Sequence, residues 1–275
     1  MLTRPIPSTG EAMPVVGLGT WPVFDVGTDA ASRRPLREVV RLLAEAGGAM
    51  IDTSPMYGRS EAVVGDIVTD RRERDSVFLA TKVWTSGRDQ GIAQMARSAR
   101  LLKTPVIDLI QIHNLLDWRT HLATLREMKA RGALRYIGIT HYTTSALAEL
   151  ARILEIEDGI DFVQCGYSLA TRHAETRLLP ICAARGVAVI VNQPLERGTL
   201  FRAVCGRALP GWAADFGCTS WAQLFLKYLI AEPAVTAVIP ATDKPDHMAD
   251  NLKAGSGPLP DPAQREQIRR LWGGL

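Results

Sequence analysis

Four polar side chains in the first half of the chain have the types that proton transfer requires: Asp52, Tyr57, Lys82 and His113. A phenol has an ordinary pKa of about 10, and a neighbouring ammonium favours the phenolate and lowers that pKa. A carboxylate would keep the ammonium charged and in place, and a histidine would donate a hydrogen bond that orients a substrate carbonyl. The set therefore suits the protonation of an alkoxide that forms as hydride reaches a carbonyl carbon.

Each of these residues also has a purely structural interpretation. Asp52 could cap the turn after it, Lys82 could be a surface charge at the end of a strand, and His113 could be a hydrogen-bonded core residue. A joint role is favoured because a short apolar run closely precedes each of Asp52, Lys82 and His113. Tyr57 follows Asp52 in the same loop. The four side chains are therefore expected to converge.

The elements that must position these side chains are short apolar runs that alternate with amphipathic helical patterns. Eight runs are continuous and often β-branched, as strands covered on both faces are; they are residues 15–18, 49–51, 77–80, 109–112, 136–139, 162–165, 187–191 and 235–239. Eight strands alternating with helices predict one (β/α)8 TIM barrel domain over residues 1–275, with its functional residues at the carboxyl ends of the strands. Residues 5–13 are predicted to form a short N-terminal hairpin that caps the bottom of the barrel.

A doubly wound open sheet is the alternative fold. It would need a glycine-rich fingerprint after its first strand, whereas residues 17–20 supply only G-x-G, with no third glycine opening a helix. The longest irregular stretch, residues 195–217, exceeds ordinary connection lengths and is predicted to be a functional flap.

Composition excludes several classes of function. Hydrophobic residues make up 47% of the chain and charged residues 22%, and the net charge of +3 comes without a long Lys/Arg block, so no nucleic-acid partner is expected. No apolar run is long enough to span a membrane, and residues 1–16 lack the apolar core of a leader. The four cysteines are widely spaced without a C-x-x-C pair, which argues against a disulfide framework or a zinc site and for a cytoplasmic location.

From the first predicted strand to about residue 254, the chain resembles the aldo-keto reductase superfamily. The matching stretches agree in order, spacing and strand-end context; they are residues 17–21 (GLGTW), 51–58 (IDTSPMYG) with Glu61 and Gly65, 81–84 (TKVW), 108–113 (DLIQIH) and 136–140 (YIGIT). The resemblance implies an NAD(P)H-dependent oxidoreductase that reduces aldehydes or ketones, with the four polar residues above as a catalytic tetrad and Tyr57 as general acid. It also implies an extended nicotinamide cofactor bound without a Rossmann fold.

The resemblance assigns cofactor contacts to the ends of most strands. The implied residues are Thr20, Trp21, Asp52, Thr140, His141, Gln164, Asn192, Leu195, Thr242, Lys244, His247, Asp250 and Asn251. The pair Thr140-His141 stands where relatives usually have Ser-Asn, and Asn192 stands where they often have an aromatic residue that stacks on the nicotinamide. Near the adenosine, Ala241 and His247 replace a lysine and an arginine.

The preferred cofactor is predicted from one short segment. Thr242, Lys244 and His247 lie where a helix opens, and helix N-terminal amides favour an anion such as a 2′-phosphate. NADP(H) is therefore expected over NAD(H), with weaker discrimination than an arginine would give, and NAD(H) remains the alternative.

An apolar substrate pocket is predicted from Trp21, Phe24, Trp84 and Trp118, which lie just past strand ends. They suggest a small-molecule carbonyl substrate, in particular a hydrophobic or aromatic aldehyde. The tail after Gln267 is short, so the long C-terminal loop that covers bulky substrates in many relatives is missing or reduced. An open site, a broad substrate range and a monomer or weak oligomer are expected.

Two other functions fit parts of the sequence. A non-catalytic sensor that binds a nicotinamide cofactor on the same fold is the main alternative, but a pure binding module has no need of Tyr57 beside Lys82. Another barrel enzyme, an isomerase or hydrolase, would usually bring metal ligands, and the sequence has no His/Asp/Glu cluster with ligand spacing. Nicotinamide-dependent carbonyl reduction is the function that the sequence favours.

Overall fold

The chain opens with an antiparallel hairpin and continues into a sheet of eight parallel strands. The computed structural model describes residues 1–47, 50–68, 74 and 76–274. The hairpin pairs β1 (Thr3–Pro5) with β2 (Ala12–Pro14). The parallel strands, hydrogen-bonded in chain order, are β3 (Leu18–Gly19), β4 (Met50–Asp52), β5 (Phe78–Val83), β6 (Ile107–His113), β7 (Leu134–His141), β8 (Phe162–Gly166), β9 (Ala188–Asn192) and β10 (Val235–Val238).

The first and last parallel strands meet and close the sheet. Parallel bridges join Val16 to Val238 and Gly19 to Ala241, and the Gly17 amide donates to the Val238 carbonyl at 2.9 Å. The predicted (β/α)8 barrel is therefore confirmed, and the doubly wound alternative is excluded. All eight predicted strands are present, with ends displaced by up to three residues; residue 49 of the second predicted strand lies outside the described residues.

Helices connect the strands around the outside of the barrel. In the described part of the chain they are α1 (Ala30–Glu45), α2 (Ser60–Ile67), α3 (Arg88–Leu101), α4 (Trp118–Ala130), α5 (Leu147–Ile156), α6 (Leu178–Arg185), α7 (Thr199–Ala203), α8 (Trp221–Ile230), α9 (Pro245–Lys253) and α10 (Pro262–Gly273). Helix α1 begins where the Asp29 carboxylate accepts the Ser32 amide, and its buried residues repeat at helical spacing. Among these described helices, none has the length and hydropathy that a membrane span requires.

Two apolar clusters hold the barrel together. The larger one packs the outward-facing strand residues against the helices. The smaller one fills the inside of the barrel near the amino-terminal ends of the strands, where Ile6 and Met13 from the hairpin join residues such as Phe78 and Phe162. The Tyr136 hydroxyl, inside the same region, donates to Glu11 of the hairpin at 2.5 Å. The hairpin therefore closes the bottom of the barrel, as predicted.

The predicted flap is more ordered than the sequence suggested. Residues 195–217 contain helix α7 and two 3-10 turns, Glu196–Gly198 and Gly211–Phe216. Leu200 and Phe216 are buried in the larger apolar cluster. The expectation of an irregular stretch was wrong, because apolar residues spaced through the segment anchor it to the core; its role as a flap stays a prediction.

Candidate active site

Strand alternation places polar side chains on the inner face of the barrel at its carboxyl end. In β5, Phe78, Ala80 and Lys82 share that face, so the strand begins apolar and ends with an ammonium. In β6 the same alternation brings Gln111 and His113 to the inner face. The barrel interior is therefore apolar near the hairpin and polar at the opposite end.

Asp52 and Lys82 form an ion pair enclosed by the barrel. Lys82 Nζ lies 2.7 Å from Asp52 Oδ2 and 2.8 Å from the Thr53 carbonyl oxygen. The Lys82 side chain is fully buried, and its ammonium lies 4.9 Å from the centre of the Tyr57 ring. Burial alone lowers the pKa of Lys82, but the Asp52 carboxylate and the Tyr57 hydroxyl outweigh that effect and raise the pKa above its ordinary value. Lys82 therefore remains protonated, and its positive charge lies beside the phenol of Tyr57.

Two glutamines, one from β6 and one from β8, complete the hydrogen bonding of Asp52. Gln111 Nε2 and Gln164 Nε2 each donate to Asp52 Oδ1 at 2.9 Å. A buried carboxylate needs such donors, because an unpaired charge away from water is costly. Gln164 was predicted as a cofactor contact rather than a partner of Asp52. Gln111 was missed, although its place two residues before His113 puts it on the same strand face.

Tyr57 is a half-buried phenol whose pKa depends on opposing effects. Burial raises the pKa of Tyr57, the Lys82 ammonium lowers it, and the Asp52 carboxylate raises it. The net direction is upward. Lys82 lowers the pKa as expected, but it only partly offsets the loss of water around the phenol, which is the largest effect. Tyr57 is therefore protonated at neutral pH, which is the form a proton donor needs.

His113 ends β6 and stands beside Tyr57. The two ring centres are 5.9 Å apart, with the rings edge to face. Burial is the main effect that lowers the pKa of His113, and the charges of Lys82 and His141 lower it further, to about 3. The ring is therefore neutral at pH 7. Its Nδ1 lies 3.1 Å from Ser54 Oγ, a residue that the sequence analysis did not single out. A neutral imidazole has one N–H, which can donate to a ligand.

The ends of β7, β8 and β9 form a polar region next to Asp52. Thr140 Oγ1 and Asn192 Nδ2 donate to Gln164 Oε1 at 3.2 and 3.3 Å. Two enclosed acceptors, Asn192 Oδ1 and Gln111 Oε1, have no hydrogen-bond partner in the part of the chain that the structure describes. The amide group of a bound carboxamide would supply N–H donors to such acceptors. The region therefore fits the nicotinamide that the resemblance implies.

Two further residues predicted to contact the cofactor, Thr20 and His141, are also hydrogen-bonded within the fold. The amide and Oγ1 of Thr20 both donate to the Asp52 carbonyl oxygen, at 3.1 and 3.0 Å. His141 Nδ1 accepts the Thr143 amide at 3.2 Å. These bonds fix the loops after β3 and β7, and a contact between either side chain and a cofactor stays a prediction.

The residues predicted to face the adenosine follow β10 at the start of α9. Thr242 Oγ1 accepts a hydrogen bond from the Lys244 amide at 3.1 Å, and Lys244 occupies the N-cap position of α9. The side chains of Lys244 and His247 are exposed there. Both could therefore meet an anion that approaches the helix N-terminus.

Asp250 and Asn251, farther along α9, lie deeper in the fold. Asp250 accepts hydrogen bonds from Ser220 Oγ at 2.6 Å and from Gln223 Nε2; Ser220 is the N-cap of the neighbouring helix α8 and Gln223 lies within it. Asn251 is buried. Asp250 therefore ties two helices together. No group of three or more His, Cys, Asp or Glu that could hold a metal ion occurs in the described ranges.

Five large apolar side chains are exposed around the carboxyl end of the barrel. They follow β3, β4, β5, β6 and β7 in turn, each is more than a third exposed, and we name the set the apolar rim: Trp21, Met56, Trp84, Leu116 and Tyr142. Only Trp21 and Trp84 were predicted. The other three were missed because single exposed apolar residues are ordinary, and it is the barrel that brings them together.

The two remaining residues of the predicted pocket lie elsewhere. Phe24 is fully buried and Trp118 is 7% exposed, and both pack in the larger apolar cluster. With so little exposed surface, neither side chain belongs to the apolar rim. Their place in a substrate pocket stays a prediction.

The segment after β9 reaches the apolar rim. The Arg197 guanidinium lies 4.6 Å from the centre of the Trp21 ring. Gln193, Glu196 and Arg197 have positive φ angles of 51°, 50° and 53°, which non-glycine residues adopt only at a cost. Leu195 is half-buried between them, and its contact with a cofactor stays a prediction.

Comparisons with known proteins find relatives over most of the chain. The model of the Aldo/keto reductase family matches residues 15–272. Methylglyoxal reductase YeaE of Escherichia coli (strain K12) is 30% identical over 236 residues, covering 82% of this chain and 80% of that protein. The NADH-specific methylglyoxal reductase of the same organism is 28% identical over 243 residues, covering 76% of this chain and 72% of its own. A crystal structure of an aldo-keto reductase from Klebsiella pneumoniae in complex with NADPH is similar at a TM-score of 0.81 and 28% identity, covering 99% of this chain and 96% of that one.

Proposed function

The chain belongs to the aldo/keto reductase family, and on this premise we propose that it reduces aldehydes or ketones with NADPH and uses Tyr57 as the general acid. The observation that supports this most is the enclosed Lys82 ammonium, 2.7 Å from Asp52 and 4.9 Å from the Tyr57 ring centre. Burying an ion pair is costly, and a protein that only sensed the cofactor would gain nothing from one beside a phenol.

In the proposed reaction each polar group of the tetrad has one task. A nicotinamide held by Thr140, Gln164 and Asn192 would supply a hydride to the carbonyl carbon. His113 donates a hydrogen bond that orients the carbonyl oxygen, and the Tyr57 hydroxyl transfers its proton to that oxygen as negative charge develops. Lys82 stabilises the phenolate that remains, and Asp52 keeps Lys82 charged and in place.

NADPH as the preferred cofactor is supported by charges at the start of α9. The relatives differ here, since one was crystallised with NADPH and another is NADH-specific. In this chain the exposed Lys244 and His247 lie at a helix N-terminus, where the backbone amides also favour an anion. Asp246 in the same turn opposes that attraction. A moderate preference for NADPH follows, weaker than an arginine would provide.

The apolar rim supports aldehydes with an apolar or aromatic group as substrates. Its five side chains can cover the apolar part of a substrate while the carbonyl group reaches Tyr57 and His113. Because YeaE is a methylglyoxal reductase, the small dicarbonyl methylglyoxal is the second substrate class to compare.

A spectrophotometric assay tests the proposal. NADPH absorbance is followed with benzaldehyde, an aliphatic aldehyde and methylglyoxal, using the wild-type protein and Tyr57→Phe. We expect consumption of NADPH by the wild type and a loss of at least about 10²-fold in the variant. Cofactor binding, measured by fluorescence quenching, without turnover of any carbonyl would instead favour the sensor alternative. Absence of cofactor binding would contradict both functions.

We also propose a cytoplasmic protein that is monomeric or weakly associated, with one domain over residues 1–275. The four cysteines are free and three of them are buried, which is typical of proteins from reducing compartments. Gel filtration with light scattering would measure the oligomeric state.

A further inference from the structure

Ser54 is an enclosed hydroxyl that the proposed reaction leaves without a task. It lies two residues after Asp52 in the loop that leads to Tyr57, and none of its surface is exposed. Its Oγ lies 3.1 Å from His113 Nδ1 and 3.3 Å from the Met56 amide nitrogen. In the proposed reaction the His113 ring contacts the carbonyl oxygen, so a buried hydroxyl bonded to that ring can influence the contact.

The direction of the hydrogen bond between Ser54 and His113 follows from the Met56 amide. An amide can only donate, so Ser54 Oγ accepts from Met56. The hydroxyl hydrogen then needs an acceptor, and within the described ranges His113 Nδ1 is the one in hydrogen-bonding distance of Ser54 Oγ. Ser54 therefore donates to Nδ1.

That direction decides which ring nitrogen of His113 bears its proton. In a neutral imidazole one nitrogen donates and the other accepts, and the bond made by one nitrogen determines the state of the other. With Nδ1 accepting from Ser54, the proton resides on Nε2, at the opposite edge of the ring. With the proton on Nδ1 instead, Nε2 would present a lone pair to a carbonyl oxygen and repel it.

We propose that Ser54 is a positioning residue that holds His113 in the tautomer with its proton on Nε2, so that the neutral ring can donate a hydrogen bond to the substrate carbonyl. The consequence for catalysis rests on the proposed carbonyl reduction, whereas the tautomer itself is a property of the free protein. Loss of one such hydrogen bond should lower kcat/KM by about 3- to 10-fold, through a mixed tautomer population and a less restrained ring.

The first experiment determines the tautomer directly. Protein labelled with ¹⁵N-histidine is studied by long-range ¹H–¹⁵N correlation at pH 7, and the signal of His113 among the five histidines is assigned with His113→Gln. We expect a protonated Nε2 and an unprotonated Nδ1 in the wild type. A proton on Nδ1 would overturn the proposal without any substitution at Ser54.

The second experiment compares three variants. Ser54→Ala removes the hydroxyl, Ser54→Thr keeps it, and Ser60→Ala is the matched control, because Ser60 is equally buried and its hydroxyl has no partner among the described residues. Ser54→Ala should shift the His113 tautomer and lower kcat/KM, while the Kd of the cofactor stays within about twofold. Ser54→Thr should restore both properties towards those of the wild type, and Ser60→Ala should resemble the wild type.

The outcomes separate this inference from the proposed function. If Ser54→Ala changes neither the tautomer nor kcat/KM, or if Ser60→Ala changes them equally, Ser54 does not position His113. If the wild type reduces no carbonyl at all, the proposed function fails, and the spectra of the wild type and Ser54→Ala still decide whether Ser54 controls the tautomer.

Discussion

Replacing Lys82 by Met should abolish activity and destabilise the fold at the same time. The substitution keeps an unbranched side chain of similar length but leaves the Asp52 carboxylate without its cation. The pair is 2.7 Å apart, and its side chains are 0% and 4% exposed, so almost no water can replace the lost partner. Breaking a buried pair from one side costs about 3–5 kcal/mol, and we expect the free energy of unfolding in urea to fall by that amount.

The same substitution should change the pH dependence of the residual activity in a defined direction. Reduction needs a protonated Tyr57, so the rate falls as the pH rises through the pKa of this phenol. Lys82 lowers the pKa of Tyr57 against the larger effect of burial. Without Lys82 that pKa rises further, and the alkaline limb of the pH–rate profile should move to higher pH.

Two control variants test whether the loss of stability comes from the burial of the Asp52–Lys82 ion pair. Arg88 and Glu127 form an ion pair at the same 2.7 Å distance, but their side chains are 48% and 49% exposed. Arg88→Met should therefore leave the free energy of unfolding nearly unchanged, because exposed pairs contribute little. The double variant Asp52→Asn/Lys82→Met removes both buried charges, and it should recover stability relative to Lys82→Met but not activity.

Three results would refute this reasoning. A Lys82→Met protein with wild-type kcat would show that the cation has no catalytic task. An alkaline limb that stays in place would mean that Lys82 does not influence the pKa of Tyr57. A loss of stability no larger than that of Arg88→Met would mean that enclosure of the pair has no energetic consequence.

Three further predictions concern the acid, the cofactor and the substrate. Tyr57→Phe should lower kcat by at least about 10²-fold with little change in the Kd of NADPH by fluorescence titration, and retention of a tenth of wild-type kcat would contradict the assignment. Lys244→Ala should weaken NADPH binding by roughly 10-fold and leave the Kd of NADH unchanged, since one charge-assisted contact is lost; equal wild-type affinities for the two cofactors would exclude a 2′-phosphate site here. Trp84→Ala should raise KM for benzaldehyde by about 3- to 10-fold but not for methylglyoxal, which has no ring to stack, and steady-state kinetics with both substrates would measure this difference.

The strands and the convergence of Asp52, Tyr57, Lys82 and His113 were predictable because their signals are local. A parallel strand buried on both faces is a continuous apolar run, and its carboxyl end is marked by the first polar residue that follows, as with Asp52. Strand ends moved by a few residues because polar residues such as His113 and Thr140 are themselves in the ladder. The (β/α)8 topology then brings the strand ends together without further information.

Other features of the site depend on contacts between distant segments. The apolar rim draws Met56 and Tyr142 from loops far apart in the chain, and neither residue is unusual alone. Burial raises the pKa of Tyr57, and the sequence around this residue does not show that its side chain is buried. The bond from Ser54 to His113 spans 59 positions, and its direction depends on an amide in the same loop. The full burial of Phe24 was not predictable either, because a position past a strand end does not say which way the turn leads.

The two ends of the barrel interior should tolerate substitution very differently. Ile6 and Met13 are enclosed at the hairpin end, where truncation of a side chain leaves a cavity and costs about 2–5 kcal/mol. The residues of the apolar rim are each more than a third exposed, and surface substitutions usually change stability by less than about 0.5 kcal/mol. A gene library randomised at the five rim codons should therefore yield mostly folded proteins with altered substrate preference. The same library at the hairpin end should consist largely of chains that do not fold, so we expect new substrate preferences to arise from changes at the carboxyl end of the barrel.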